Sequence, residues 1–159
     1  MNIRVGIGFD VHRLVKGRPL VLGGVHIPSP VGAEGHSDAD VLLHAVMDAC
    51  LGAAGLPDIG HFFPPSDPAY KDADSRQLLQ VVKQHLDRNG WKVVNIDAML
   101  LLEAPKIKPY IPEMKKEIAR VLAIAPSAVG IKATTGEGLG YVGRGEGAAA
   151  HAVALIQQP

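Results

Sequence analysis

From Ile3 to Val11 apolar residues alternate with polar or small ones: Ile3, Val5, Ile7, Phe9 and Val11 fall on one side, Arg4, Gly6, Gly8, Asp10 and His12 on the other. A period of two is a strand's period, so the chain opens on a strand with a distinctive polar face. Leu20 to Ile27 predicts a second strand, broken by Gly23-Gly24 and followed by the Pro28-Ser29-Pro30 turn, with the first strand as its hairpin partner. Val41, Leu42, Ala45, Val46, Ala49 and Cys50 then recur at helical spacing, from a cap at Ser37 or Asp38 to a stop near Gly55-Leu56-Pro57. Asp58 to Lys71 is proline-rich without a sustained period and reads as a surface loop. A second helix is expected over Ser75 to Asn89, with Leu78, Leu79, Val82 and Leu86 inward. A third runs over Pro109 to Ile124, with Ile111, Met114, Ile118, Val121 and Leu122 inward. Trp91 to Leu102 and Val129 to Ala133 read as strands. Gly147 to Gln157 is divided: its alanines favour helix, whereas Val153, Leu155 and the preceding glycines allow strand.

This order, roughly β-β-α-α-β-α-β-β, predicts an α/β or α+β sandwich with helices over one sheet face. Neither a repeat nor a linker divides the chain, so one domain over residues 1–159 is expected. With 159 residues and 47% apolar composition, a buried core is expected and disorder is not. Sixteen Lys and Arg offset sixteen Asp and Glu, leaving no overall basic field to hold nucleic acid or an anionic membrane. The single cysteine, Cys50, excludes an intrachain disulfide framework and a purely thiolate zinc site, which suits a reducing cytosol. With no signal-peptide pattern and no apolar run long enough to span a bilayer, a soluble cytoplasmic protein is expected.

Asp10 and His12 project from one strand face, and Gly6 and Gly8 leave that face bare beside them. A helix packed over the strand places His44 as third ligand of a His-His-carboxylate zinc site with an open position; the plainer alternative is a hydrogen-bonded Asp-His pair. Gly6-x-Gly8 is not a dinucleotide fingerprint, because Val11 stands where the third glycine belongs and no helix follows. His36, Ser37 and Asp38 precede the first helix, where free amides attract a phosphate or are simply capped. Asp40, His44 and Asp48 share one helical stripe, so either aspartate is placed to orient the imidazole. In Lys132 to Gly140, Thr134 and Thr135 offer hydroxyls to phosphate oxygens and Glu137 a carboxylate to a hard cation, although such glycine-rich turns also serve geometry alone. Arg144 and Glu146, set among Gly143, Gly145 and Gly147, form either a simple ion pair or contacts around a symmetry axis.

Gly6-x-Gly-x-Asp-Val-His12, Gly35-His-Ser-Asp-Ala-Asp-Val-Leu-Leu-His-Ala45, Asp58 to Pro68 and Lys132 to Gly147 together resemble the 2-C-methyl-D-erythritol 2,4-cyclodiphosphate synthase family over essentially the whole chain. The resemblance implies zinc, or another divalent transition metal, on Asp10, His12 and His44, and Mg²⁺ or Mn²⁺ on Glu137. It implies phosphate contacts from His36, Ser37, Thr134 and Thr135, ribose contacts from Asp58 and Gly60, and a cytosine pocket around Ala104, Pro105 and Lys106. His36, Thr135 and Glu137 are then the catalytic candidates, and Arg144 and Glu146 lie at a central cavity. The implied assembly is a cyclic homotrimer, with a mixed four- to five-stranded sheet per subunit, helices on one face and sites between neighbours. On that basis the last segment is taken as strand. The chain departs from the family pattern at Gly136, where a polar residue is frequent, and at Tyr141, where Phe is common. The expected reaction converts 4-diphosphocytidyl-2-C-methyl-D-erythritol 2-phosphate into the cyclodiphosphate and CMP, in non-mevalonate isoprenoid biosynthesis. A zinc phosphohydrolase acting on a nucleotide diphosphate, or a nucleotide-binding trimer that senses a metabolite, are the alternatives.

Overall fold

A computed structural model describes residues 1–159. The opening alternation continues further than its apolar positions, giving β1 (Asn2–Lys16). Leu20 to Ile27 does not pair with it. It folds on itself as β2 (Leu20–Leu22) and β3 (Val25–Ile27), in the register Leu20 to Ile27 and Leu22 to Val25. The reason is the glycine pair: Gly23 and Gly24 have φ of +60° and +77°, the two successive left-handed residues a two-residue hairpin turn requires. β1 pairs instead with β4 (Val31–Ala33) and, along nearly its whole length, with the C-terminal strand.

The helices follow as α1 (Val41–Ala53), α2 (Ile59–Phe62), α3 (Ser75–Arg88) and α4 (Ile111–Leu122), separated by β5 (Lys92–Leu101) and followed by β6 (Val129–Thr134), α5 (Gly140–Gly143) and β7 (Gly147–Gln158). The main sheet is mixed and five-stranded, in the order β4-β1-β7-β5-β6, with β5 and β6 parallel and the other pairs antiparallel. Leu79, Val82 and Leu86 of α3, and Met114 and Ile118 of α4, are fully buried in the one core cluster.

Ser37 and Asp38 do not cap α1. Asp40 does, accepting from the Leu43 amide at 3.0 Å, and the same carboxylate accepts from the Gly23 and Gly24 amides at 2.9 and 2.7 Å. One buried side chain thus satisfies both the helix start and the hairpin turn. Burial, reinforced by the neighbouring Asp38 charge, pushes the Asp40 carboxyl up to about 6 against the pull of these three amides.

α1 lies on the bare face of β1. An ideal Cβ on Gly8 would stand 1.9 Å from the Ala45 carbonyl oxygen, and one on Gly6 2.1 Å from that of Ala49. On β7, Ala148, Ala150, Ala152 and Ala154 alternate along the strand and are buried; the register places Ala152 opposite Gly8 and Ala154 opposite Gly6. Small residues on two adjacent strands therefore form one shallow trough, and a helix sits closer to it than branched side chains would allow. The opposite side of β1 carries no covering layer: Val5 and Ile7 are 66% and 72% exposed, and Ile3, Phe9, Val11 and Val153 extend the same apolar face.

Candidate functional site

The close contact of α1 with β1 sets the metal-ligand geometry. Asp10 Oδ2 lies 2.8 Å from His12 Nε2 and 3.1 Å from His44 Nδ1, and the two imidazole nitrogens are 3.3 Å apart. His12 is held from behind by its Nδ1, which donates to the Glu34 carbonyl at 2.9 Å, so the neutral ring presents its Nε2 lone pair to the cluster. One carboxylate oxygen and two imidazole nitrogens converging on one point are the donor set of an open, tetrahedral zinc site. The residues fit that ion.

Burial opposes ionisation of Asp10, but the His12 and His44 imidazoles packed against it outweigh burial and lower the carboxyl to about 2. Burial likewise disfavours charge on His12, and the hydrogen bond and charge of Asp10 reverse the balance and raise its pKa. The depressed carboxylate contributes stability above its ordinary value of 3.8, lost as pH falls through about 2. The raised imidazole contributes below its ordinary value of 6.5, and that part is lost as pH rises through the folded value. In metal-free protein the wild type is therefore expected to exceed Asp10→Asn in Tm most between these two ordinary values, with the gap narrowing on either side. A gap independent of pH in thermal melts would remove the pair from the stability balance.

Neither Asp40 nor Asp48 orients His44. Asp40 is engaged as described, and Asp48 accepts from the Ile59 amide at 2.9 Å, tying α2 to α1. The partners of His44 Nε2 are the Ser75 hydroxyl at 3.0 Å and the Ser37 hydroxyl at 3.3 Å. Ser75 was not legible as a site residue because it arrives from the start of α3, with nothing in its own neighbourhood to mark it.

The metal-ligand cluster opens into a cavity of about 230 Å³, lined by Asp10, His12, His44, His36, Ser37 and Gly60, with Phe63, Tyr70 and Leu78 among the apolar walls. The loop expected over Asp58 to Lys71 carries α2 and a short 3-10 turn at Pro68–Tyr70. It is pinned, since His36 Nε2 lies 2.8 Å from the Asp67 carbonyl and Asp58 caps α2 through the His61 amide at 3.1 Å. Asp58 itself does not line the cavity.

Pro105, Lys106, Thr134 and Thr135 line a second cavity of about 180 Å³ that shares no residue with the first; Ala104 lies beside it, exposed. Here Glu103, which the sequence did not single out, accepts from the Gly136 and Gly138 amides at 2.8 and 3.3 Å and holds the turn that presents Thr135 and Glu137. Glu137 is exposed and in the left-handed region at φ +54°, with its amide on the Thr135 hydroxyl. At Gly136 a Cβ would come within 2.8 Å of the Gly143 amide and the Leu139 carbonyl, so bare backbone is what lets this turn seat on α5. Arg144 and Glu146 pair with each other at 2.8 Å, both largely exposed. The chain thus carries two separate cavities, one at the Asp10, His12 and His44 cluster and one beside the Thr134-Thr135 turn.

An α+β fold with a carboxylate-imidazole cluster that fits a divalent metal, open to a cavity, has the features of a metal-dependent enzyme. The YgbB family model matches residues 3–157, and the chain belongs to that family. It is 64% identical over 155 residues to the 2-C-methyl-D-erythritol 2,4-cyclodiphosphate synthase of Chlorobium phaeobacteroides, covering 98% of both chains. The synthase of Chlorobium phaeovibrioides is 61% identical over 98% of this chain and 99% of its own. Among solved structures, a synthase in its CDP-bound form superposes with a TM-score of 0.89 at 38% identity, covering 97% of this chain and all of that one. The CDP complex from Plasmodium falciparum gives 0.86 at 31% identity, covering 99% of this chain and 97% of that one.

Proposed function

We propose that this chain, as one domain over residues 1–159, is a phosphorus-oxygen lyase that converts 4-diphosphocytidyl-2-C-methyl-D-erythritol 2-phosphate into 2-C-methyl-D-erythritol 2,4-cyclodiphosphate and CMP. The observation that carries this reading is the near end-to-end match, at 61% identity, to a synthase of that name. Attack of the 2-phosphate on the β-phosphorus expels CMP, and both nucleophile and leaving group are anions at neutral pH. No side chain need supply or remove a proton, and the barrier lies in bringing two anions together in line. Zinc, or another divalent transition metal, on Asp10, His12 and His44, and Mg²⁺ or Mn²⁺ on Glu137, would supply charge neutralisation at the phosphates.

The chain's own work is positioning, which contributes about 7–11 kcal/mol in well-oriented intramolecular reactions. His36 and Ser37 line the cavity beside the metal cluster and contact phosphate. Thr134 and Thr135 contact phosphate, the segment Ala104, Pro105 and Lys106 holds the cytosine, and Asp58 and Gly60 hold the ribose. Because the Asp10, His12 and His44 cluster with His36 and Ser37 lines one cavity and Lys106, Thr134 and Thr135 line another, the reading includes a cyclic homotrimer in which neighbours complete each other's sites, with Arg144 and Glu146 at its axis. The uncovered apolar face of β1 supports it, since contiguous exposed apolar surface marks an interface.

A ³¹P NMR time course with the cytidyl substrate should show cyclic diphosphate and CMP appearing together; a linear phosphate product would overturn the assignment. In the same assay Glu137→Gln is expected to retain zinc yet lose most activity, with partial recovery at raised Mg²⁺, because an amide is a poorer ligand for a hard cation. Full activity of that variant at low Mg²⁺ would remove Glu137 from the mechanism. Ile7→Asp places a charge on a side chain that is 72% exposed in the single chain, where such a change alters stability by roughly 0.5 kcal/mol or less. It is instead expected to yield monomers in sedimentation velocity; an unchanged trimer would show that this face is not the interface.

A further inference from the structure

We propose that Asp38 and Ser75 form a directional hydrogen-bond relay that fixes the tautomer of His44, keeping its Nδ1 unprotonated and available to the metal. The inference rests on the reading of Asp10, His12 and His44 as a metal centre and assigns two positioning residues to it. Asp38 Oδ2 accepts from the Ser75 amide at 3.0 Å, and its Oδ1 accepts from the Ser75 hydroxyl at 2.5 Å and from the Asp40 amide at 3.1 Å. An ionised carboxylate is acceptor-only, so the Ser75 proton has a single place to go. With that proton committed, Ser75 Oγ can meet His44 Nε2 at 3.0 Å only as an acceptor, which requires the proton on Nε2. Nδ1 is then a lone pair, pointed at the spot shared with Asp10 and His12.

The competing arrangement is built into the same site. If Nδ1 carried the proton it would donate to Asp10 Oδ2 at 3.1 Å, and Nε2 would accept from the Ser37 hydroxyl at 3.3 Å. That tautomer satisfies both ring nitrogens and blocks the metal position. Ser37 cannot reject it, because its oxygen accepts from the Ala39 amide and its proton is free to turn toward the ring. Only the Ser75 hydroxyl, oriented by Asp38, selects against it. Ser75 is fully buried, so water cannot take over the role. The relay also leaves the Ser37 proton unspent on His44 and free to face the cavity.

The test compares wild type, Ser75→Ala and Ser75→Thr in two measurements. In metal-free protein, long-range ¹⁵N–¹H correlation spectra above the titration range of ordinary imidazoles read the His44 tautomer; zinc affinity is read by competition with a chromophoric chelator. Wild type is expected to hold the Nε2-protonated form. Ser75→Ala is expected to shift population toward Nδ1-protonated His44 and to weaken zinc by about 10–100-fold, the usual effect of losing a group that orients a metal ligand. Ser75→Thr, which keeps the hydroxyl, is expected to restore both. If Ser75→Ala fails to fold, Asp38→Ala, which keeps the Ser75 hydroxyl but removes its acceptor, is read in the same way. An unchanged tautomer overturns the relay, whether or not zinc affinity falls, since a loss without a tautomer shift is packing alone. Absence of zinc binding in wild type would instead overturn the metal-centre reading, while the tautomer spectra still judge the relay.

Discussion

Gly8→Ala is expected to destroy the fold although it adds one methyl group. The new Cβ would stand 1.9 Å from the Ala45 carbonyl oxygen, 2.7 Å from the Ala49 amide nitrogen and 2.8 Å from the Ala45 carbonyl carbon, all of them backbone atoms of α1. A side chain that meets a side chain finds another rotamer, but a side chain that meets a helix backbone must move the helix. Overpacking ordinarily costs about 1–3 kcal/mol. Here α1 would lift from β1 and β7 together and carry His44 away from Asp10 and His12, so the loss should exceed about 4 kcal/mol, a large part of a domain's typical stability. Gly52→Ala is the control within the same helix: its nearest neighbour is the Ile7 carbonyl at 3.8 Å, and a helical glycine exchanged for alanine in open space gains up to about 1 kcal/mol. Urea unfolding reads both. A Gly8→Ala protein within about 1 kcal/mol of wild type would mean that α1 does not rest on bare strand backbone.

Activity recovered from two dead parents is the second large effect. The metal-ligand cavity and the cavity of Lys106, Thr134 and Thr135 have no lining residue in common within one chain. In a head-to-tail cyclic trimer each complete site joins the first cavity of one subunit to the second cavity of its neighbour. His44→Ala spoils the first face of every subunit, and Thr135→Ala with Glu137→Ala spoils the second, so neither pure trimer holds an intact site. Unfolded and refolded together at equal amounts, they form mixed trimers that each contain one undamaged interface, and about a quarter of wild-type activity should return if subunits associate at random. Differently tagged parents and sequential affinity capture isolate the mixed species. If captured mixed trimers remain as inactive as the parents, the site is built within a single chain and the nucleotide contacts have been assigned to the wrong subunit.

Elements whose residues answer to their own periodicity were legible along the chain. The alternation from Ile3 to Val11 put Asp10 and His12 on one face, and the spacing of Leu78, Leu79, Val82 and Leu86 and of Met114, Ile118, Val121 and Leu122 marked the inner faces of α3 and α4. Each is a local pattern whose meaning does not depend on a distant partner. Tertiary structure decided the rest, in each case because the deciding partner lies far along the chain. One edge of β1 went to β7, more than a hundred residues later, and the other to β4, so Leu20 to Ile27, turned at Gly23-Gly24, pairs within itself. The alanines of β7 favour helix locally, yet they are strand because small residues opposite Gly6 and Gly8 are what α1 can approach. Asp40 displaced Ser37 and Asp38 as the cap because the amides of Gly23 and Gly24 also needed a buried acceptor. His44 took its hydroxyl partner from the start of α3 and not from an aspartate on its own helix, since a ring nitrogen aimed away from the metal-ligand cluster points out of α1 and into whatever packs above it.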